Sequence, residues 1–319
     1  MKFRTEIQCP AVSTAIDHHS KLVLLGSCFS EHMEGKFEYF KFNTFANPFG
    51  ILFNPKAIET AVRHCVNKKS YSEKDIRRHG EIWLSLDHHS HYDHRDQNEV
   101  LDKINQPIEL GHQALKNASH VIITLGTSWV YKWKESNAVV GNCHKIPQKF
   151  FSKELLSSQE ILDSLRQIIN LIRSINKNSN FVFTVSPVRH LKDGFTENTI
   201  SKSLLHTAIN ELKKETELNY FPAYEIMMDD LRDYRFYKED LVHPNEMAID
   251  YIWDLFKTSW LSESSKGLMN EIEDIQKSLS HRPFDPASEA HQKFVKKLEG
   301  KIERLNQQFP DIKFHKKRK

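Results

Sequence analysis

The sequence predicts an α/β protein with a mainly parallel central sheet covered by helices on both faces. Three observations carry this reading. Short apolar runs such as "KLVLL" (21–25), "HVIITLG" (120–126) and "FVFTVSPV" (181–188) are nearly continuous, as strands buried on both sides are. Segments with apolar residues at helical spacing separate them. The two kinds of segment alternate, which is the pattern of strand–helix–strand units whose crossover helices cover a parallel sheet.

In chain order, 21–25 is the first strand. "PKAIETAVRHCVN" (55–67) has apolar residues at 57, 58, 61, 62 and 66, one stripe of a helix. The second strand, 120–126, is followed by "WVYKWKESNAVVGN" (129–142), which reads as an added hairpin. A long amphipathic helix with Ser157 at its start covers 157–176. After the third strand, 181–188, come a helix over about 198–216 and a strand near 218–226. A helix over 244–261 follows, with Pro244 in its first turn. Residues 69–118 break the alternation and read as an insertion. "SESSKG" (262–267) reads as a linker, dividing the chain into an α/β domain over 1–262 and a charged helical extension over 263–319. That extension would hold helices at about 266–280 and 287–308, joined by the turn "HRPFDP" (281–286). It is either an arm packed on the domain or a surface for a protein partner or for self-association.

Of the 319 residues, 39% are hydrophobic and 27% charged, the balance of a globular domain with a full core. A net charge of +3 is too small to argue for nucleic acid or an anionic membrane surface as a partner. The only dense basic cluster, "HKKRK" (315–319), reads as a solubilising tail. The first twenty residues contain no apolar segment of signal-peptide length, and no later stretch approaches a membrane span. The four cysteines, Cys9, Cys28, Cys65 and Cys143, lie far apart without a CxxC pair, so neither a disulfide framework nor a zinc knuckle is expected. A cytoplasmic protein is the expectation.

Open parallel sheets place their sites beyond the carboxyl ends of the strands. Residues 26–28, 126–128, 187–190 and 240–243 all fall just after strands or in the loops beyond them. In "KLVLLGSCFSEHM" (21–33) the strand stops at Gly26, and Ser27 and Cys28 follow where a polar segment begins. A glycine there lets the chain turn sharply and present a side chain at a helix N-terminus, where an anion is favoured. A Cys so placed has its pKa lowered, while a Ser needs a separate base. The alternative is that Cys28 is a small buried hydrophobe. "KEDLVHPNEM" (238–247) carries Asp240 and His243. A carboxylate on one imidazole nitrogen fixes the tautomer and leaves the other nitrogen as a general base. As a structural alternative, Asp240 bonds the loop and His243 stands partly exposed before the helix.

Other residues have two readings each. Arg189 and His190, just beyond the third strand, suit a substrate carboxylate or phosphate, or else Arg189 pairs with the acidic loop 229–240. Asn142, Cys143 and His144 either reach the site from the hairpin or bond the backbone at its turn, and Cys143 is a candidate second thiol. Asp229, Asp230, Arg232, Asp233 and Arg235 read as an ion-pair network. His88, His89, His91 and His94 have metal-ligand composition, but their spacing puts only some on one face. A solvated polar loop without metal is expected there.

Taken together, "GSCFS" (26–30), "NPFGILFNP" (47–55), "ITLGTSWVY" (123–131), "GNCHKIP" (141–147), "TVSPVRHLKDG" (184–194), "YFPAYEI" (220–226) and "LRDYRFYKEDLVHPN" (231–245) resemble the GSCFA-domain family, a branch of the SGNH/GDSL hydrolase-like superfamily. The resemblance spans roughly residues 20–262. It implies a three-layer α/β/α sandwich with a flavodoxin-like sheet, to which the insertions and the C-terminal helical arm read above are added. It also implies acyl transfer: Gly26 falls on the superfamily motif's Gly, Ser27 on its Asp, Cys28 on its nucleophilic Ser, and Asp240 and His243 on its acid–base pair. Gly50 falls on the oxyanion Gly, and Ser128 stands where the superfamily commonly has an Asn. Losing one oxyanion donor costs about 100- to 1000-fold in rate. A one-residue slip makes Ser27 the nucleophile instead of Cys28. The implied function is an esterase or acyltransferase acting on a polar, carbohydrate-like ester, with no cofactor. The two departures, at Cys28 and Ser128, also fit a decayed scaffold that serves as a ligand- or protein-binding module.

Overall fold

A computed structural model describes residues 4–281, 284, 285 and 288–314, so the basic tail 315–319 lies outside the described residues. In chain order the elements begin with β1 (Lys21–Gly26), α1 (Cys28–Tyr39), β2 (Asn43–Ala46) and α2 (Pro55–Val66). Next come a small ribbon, β3 (Arg77–His79) and β4 (Ile82–Leu84), then α3 (Gln97–Asn117) and β5 (His120–Leu125). A second ribbon consists of β6 (Trp129–Trp133), β7 (Ala138–Val140) and β8 (Phe151–Leu155), and α4 (Ser158–Ile175), β9 (Asn180–Val185) and α5 (Phe195–Glu215) follow. The chain continues through β10 (Asn219–Tyr220), α6 (Ala223–Glu225) and α7 (Glu246–Trp260), then α8 (Glu263–Ser280) and α9 (Glu289–Gln308).

The central sheet has the order β10-β9-β5-β1-β2, with every pairing parallel. Successive residues of a strand point to opposite faces, and here both faces are apolar. Val23, Leu25, Val121, Ile123, Phe181 and Phe183 join one core, with α2, α3, α4 and α5. Leu22, Leu24, Ile122 and Val182 join the other, with α1 and α7. Strands covered on both sides have no polar period, which is why these runs are legible as strands. Phe37 of α1 meets Trp253 of α7 edge-to-face at 4.9 Å; burying each such ring contributes roughly 2–3 kcal/mol. The result is a three-layer α/β/α sandwich whose strands all end on one edge.

The structure differs from expectation in four places. The second half of 69–118 is α3, a helix of the main layer whose Val100, Ile104, Ile108 and Leu115 are in the core, so only its first half lies outside the alternation. The strand near 218–226 is two residues long, because the chain turns into α6 after Pro222. Pro244 precedes α7, and Asn245 caps that helix by accepting from the Ala248 amide at 3.1 Å. The supposed linker 262–267 is helical: Ser262 caps α8 by accepting from the Ser265 amide at 3.2 Å. The C-terminal helices pack on the domain. Ile272, Ile275, Leu298 and Leu305 form a cluster that reaches Phe40, and Gln276 Nε2 donates to the Tyr39 carbonyl at 3.1 Å. No described helix is long and apolar enough to cross a membrane.

Candidate functional site

The carboxyl edge of the sheet opens into a cavity of about 990 Å³ lined by residues from several loops, Cys28 and His243 among them. The turn that delivers Cys28 has a steric cause. Gly26 has φ +126°, and a Cβ there would lie 2.1 Å from the Thr124 carbonyl oxygen of β5, so only glycine passes. The Ser27 amide then donates to that same oxygen at 3.1 Å, and α1 starts at Cys28. Ser27 is completely buried, and its hydroxyl has no hydrogen-bond partner among the described residues. Cys28 is half-buried on the cavity wall. The turn thus presents the thiol and seals the hydroxyl beneath it.

Asp240 and His243 come from the loop before α7. Leu241 adopts φ +57°, a left-handed conformation costly for a branched side chain, and so turns the chain sharply between them. Asp240 Oδ1 accepts from the amides of Val242 and His243, each at 2.9 Å, and Oδ2 lies 2.6 Å from His243 Nδ1. The two amides first, then the imidazole, hold the Asp240 carboxyl down at about 2. With Nδ1 engaged, Nε2 is the nitrogen His243 offers to the cavity. The loop is tied to its neighbour by the Arg189 amide, which donates to the Val242 carbonyl at 3.2 Å.

Electrostatics around Cys28 correct one expectation. The helix N-terminus does not leave its thiol more acidic than usual. Burial pushes the thiol up and Glu31 adds to that, against a smaller downward pull from Lys202 and the amides of Cys28 and Phe29. His190 is pushed down to about 3, by burial first and then by Lys202 and His243, so its imidazole is neutral at neutral pH. Burial also pushes Cys143, on the cavity wall, up to about 11.

The remaining candidates separate into two groups. Asn142, Arg189 and His190 line the cavity with Cys28 and His243. Arg189 makes no ion pair with the acidic loop among the described residues; its guanidinium lies 5.4 Å from the Phe195 ring. Gly50, Ser128 and His144 do not line the cavity. The Gly50 amide donates to the Asn47 carbonyl at 2.7 Å, and the Ser128 hydroxyl donates to the Ser201 carbonyl at 2.7 Å. His144 lies 3.0 Å from Asp93 and 2.8 Å from the Ser85 carbonyl. Among the described residues the expected ion-pair network is reduced to Arg235 with Asp233 at 3.0 Å and Arg4 with Asp230 at 3.7 Å, Arg4 also meeting Glu6 at 3.3 Å.

The histidine cluster is also more ordered than a solvated loop. His88 is fully buried, stacked on Phe49 at 4.1 Å, with Nδ1 2.9 Å from Ser85 Oγ. Among the described residues no group of three or more His, Cys, Asp or Glu side chains could hold a metal ion.

Three residues of the region escaped the sequence reading. Asn54 lines the cavity, and its Oδ1 caps α2 by accepting from Ala57 at 2.8 Å, which leaves Nδ2 as the donor it can offer. Its signal was an Asn directly before Pro55 at a helix start. Trp129 and Tyr131 put aromatic surface on the cavity from β6, and nothing in a hairpin pattern marks them.

This arrangement of a buried turn, a cavity-facing thiol and a carboxylate–imidazole pair accompanies a clear family match. Residues 21–256 match the GSCFA family, and residues 272–319 match the C-terminal domain described for GSCFA domain proteins. The chain belongs to the GSCFA family. No curated protein matches it. A Streptococcus pneumonia structure that carries the name platelet activating factor is similar with a TM-score of 0.40 and 10% identity, covering 75% of this chain and 83% of that one.

Proposed function

We propose that this protein is an acyl-transfer enzyme of SGNH-like design, an esterase or acyltransferase with Cys28 as nucleophile, His243 as general base and Asp240 as its orienting carboxylate. One observation carries the reading: Cys28 and His243, far apart in sequence, line one cavity at the carboxyl edge of the sheet, and Asp240 already holds the His243 imidazole at 2.6 Å. Since the Cys28 thiol is held above its ordinary value, it needs a base, and His243 Nε2 takes its proton. The sulfur attacks the ester carbonyl, and the alcohol leaves with the proton returned by His243. The resulting thioester is then cleaved by water or by an acceptor hydroxyl. The oxyanion donors are the Cys28 amide and Asn54 Nδ2, rather than Gly50 and Ser128, whose donors are already engaged. Trp129 and Tyr131 suit a sugar face, and Arg189 suits an anionic group on the substrate. The site works without a cofactor, and the cytoplasm is its proposed compartment.

Incubation with p-nitrophenyl acetate tests this. A burst of p-nitrophenol with a mass increase of one acetyl group on the Cys28 peptide is expected, and both are lost in Cys28→Ala. An acetyl group on any other residue, or turnover that survives the substitution, sinks the assignment. The raised thiol and the engaged Ser128 favour a second reading, a cavity that binds a ligand without turnover. Its sign would be saturable binding of an acetylated sugar with no acyl adduct.

A further inference from the structure

The cavity carries a charge that the reaction above does not use. Apart from its imidazoles, the charged side chains in its lining are Lys145, Arg189, Lys192 and Asp193. The one carboxylate among them is already neutralised, because Asp193 forms an ion pair with Lys153, whose Nζ lies 4.5 Å from the Trp129 ring on the cavity wall. Lys145, Arg189 and Lys192 form no ion pair among the described residues. Three cations thus share one cavity with no free carboxylate in its lining, in a chain whose net charge is only +3. Like charges gathered on one wall repel each other, and a concave wall focuses their field on whatever enters.

The turns that present the two lysines are braced. In the connection from β7 to β8, His144 has φ +49° and Lys145 φ +62°, left-handed conformations that are costly for any residue with a Cβ. Bonds on either side hold them: the His144 amide donates to Asn142 Oδ1 at 2.8 Å, and the Ile146 amide donates to the Cys143 carbonyl at 2.9 Å. Strain that the surroundings enforce in this way gathers at ligand sites. Lys192 stands in a single tight turn, 191–193. The His190 amide ties the start of that turn to Asn198 Oδ1 at 2.9 Å, and the Gly194 amide ties its end to the Leu191 carbonyl at 3.0 Å. The backbone under both lysines is therefore set before a ligand arrives.

We propose that the cavity selects an ester that also carries a phosphate monoester, gripped by Lys145, Arg189 and Lys192. Near pH 7 a phosphate monoester brings nearly two negative charges and three terminal oxygens. The ammonium groups meet it as point charges, and the guanidinium fork takes two oxygens at once. A carboxylate brings one charge and two oxygens, and leaves the lining with a surplus of cations. The phosphate's place in a substrate rests on the acyl-transfer reading of this cavity, but the binding of a dianion here does not.

The test is calorimetric titration of the full chain with phenyl phosphate, benzoate and benzyl alcohol, which put a dianion, a monoanion and no charge on one ring. Phenyl phosphate is expected to bind about tenfold more tightly than benzoate, and its affinity to fall as ionic strength rises from about 0.01 M to about 0.15 M. Lys145→Gln and Lys192→Gln, both at exposed side chains, are each expected to weaken phenyl phosphate about tenfold and to leave benzyl alcohol unchanged. Lys192→Arg, which keeps the charge, is expected to stay near the wild-type affinity. Equal affinity for phenyl phosphate and benzoate overturns the proposal, as does wild-type affinity in both Gln variants. Titration of Cys28→Ala separates the two ideas. It is expected to bind phenyl phosphate as the wild type does, so a missing acetyl adduct on Cys28 removes the nucleophile and leaves the anion site, while equal affinities remove the anion site and leave the nucleophile.

Discussion

Two regions of this molecule use histidines in opposite ways. Around 85–94 the imidazoles are packing and bracing groups: His88 lies flat on Phe49, and His144 reaches in to bond Asp93 and the Ser85 carbonyl with both of its nitrogens. At the cavity, His243 has one nitrogen fixed by Asp240 while its side chain stays 39% exposed. What separates them is the second nitrogen. An imidazole with both nitrogens spent or entombed can only hold structure, and one with a single nitrogen oriented can move a proton. Composition marks the first region and placement marks the second.

The comparison breaks most visibly in activity. His243→Ala is expected to cut p-nitrophenyl acetate hydrolysis about 1000-fold with little change in melting temperature. Asp240→Asn should follow it, since the imidazole loses its orienting carboxylate. In the other region, His88→Ala is expected to cost about 3 kcal/mol in urea unfolding while leaving activity per folded molecule intact. A His88 variant that folds normally but is inactive would merge the two regions into one site.

Acid separates them next. Burial holds His88 well below its ordinary value, and His206 at about 4. Unfolded imidazoles take up protons below about pH 6.5, whereas these stay neutral in the folded chain. The unfolded state therefore binds more protons in that window, and stability present above 6.5 is lost as pH falls toward 4. The melting temperature should drop between pH 7 and pH 5, and His88→Phe should flatten the drop. A level profile in the unaltered protein would mean that these rings are not sealed. The smallest effect is expected at Leu241. Replacement by Gly relieves its left-handed backbone but frees the unfolded chain, so urea stability should move by less than about 1 kcal/mol.

Much of the fold was legible, for reasons that also explain the gaps. β1, β5 and β9 are buried on both faces, and such strands announce themselves as unbroken apolar runs. Helix α3 did not, because Pro107, Gly111 and His112 interrupt its stripe, although Ile104, Ile108 and Leu115 still reach the core. β2 and β10 are too short to show a period. At the site, Gly26, Cys28, Asp240 and His243 could be picked out by their position after strands and their spacing. The direction of the Cys28 shift could not, because it depends on burial by distant elements. Lys202 was invisible for the same reason: in "SKSLLHTAIN" (201–210) it reads as one more surface lysine, and only the packing of α5 under the cavity buries it.

The segment before β1 and the end of α7 are laced together. Ile16 bridges to Leu261, and the amides of Val12 and Ile16 donate to the Ser259 and Trp260 carbonyls at 3.0 and 2.7 Å. Between them the sheet closes entirely through crossovers, the slowest kind of contact to form. During synthesis the Cys28 thiol therefore emerges roughly two hundred residues ahead of the His243 imidazole. A chain cut before residue 243 carries the thiol without the imidazole, so on the proposed mechanism the chemistry of the cavity is withheld until the loop before α7 is in place.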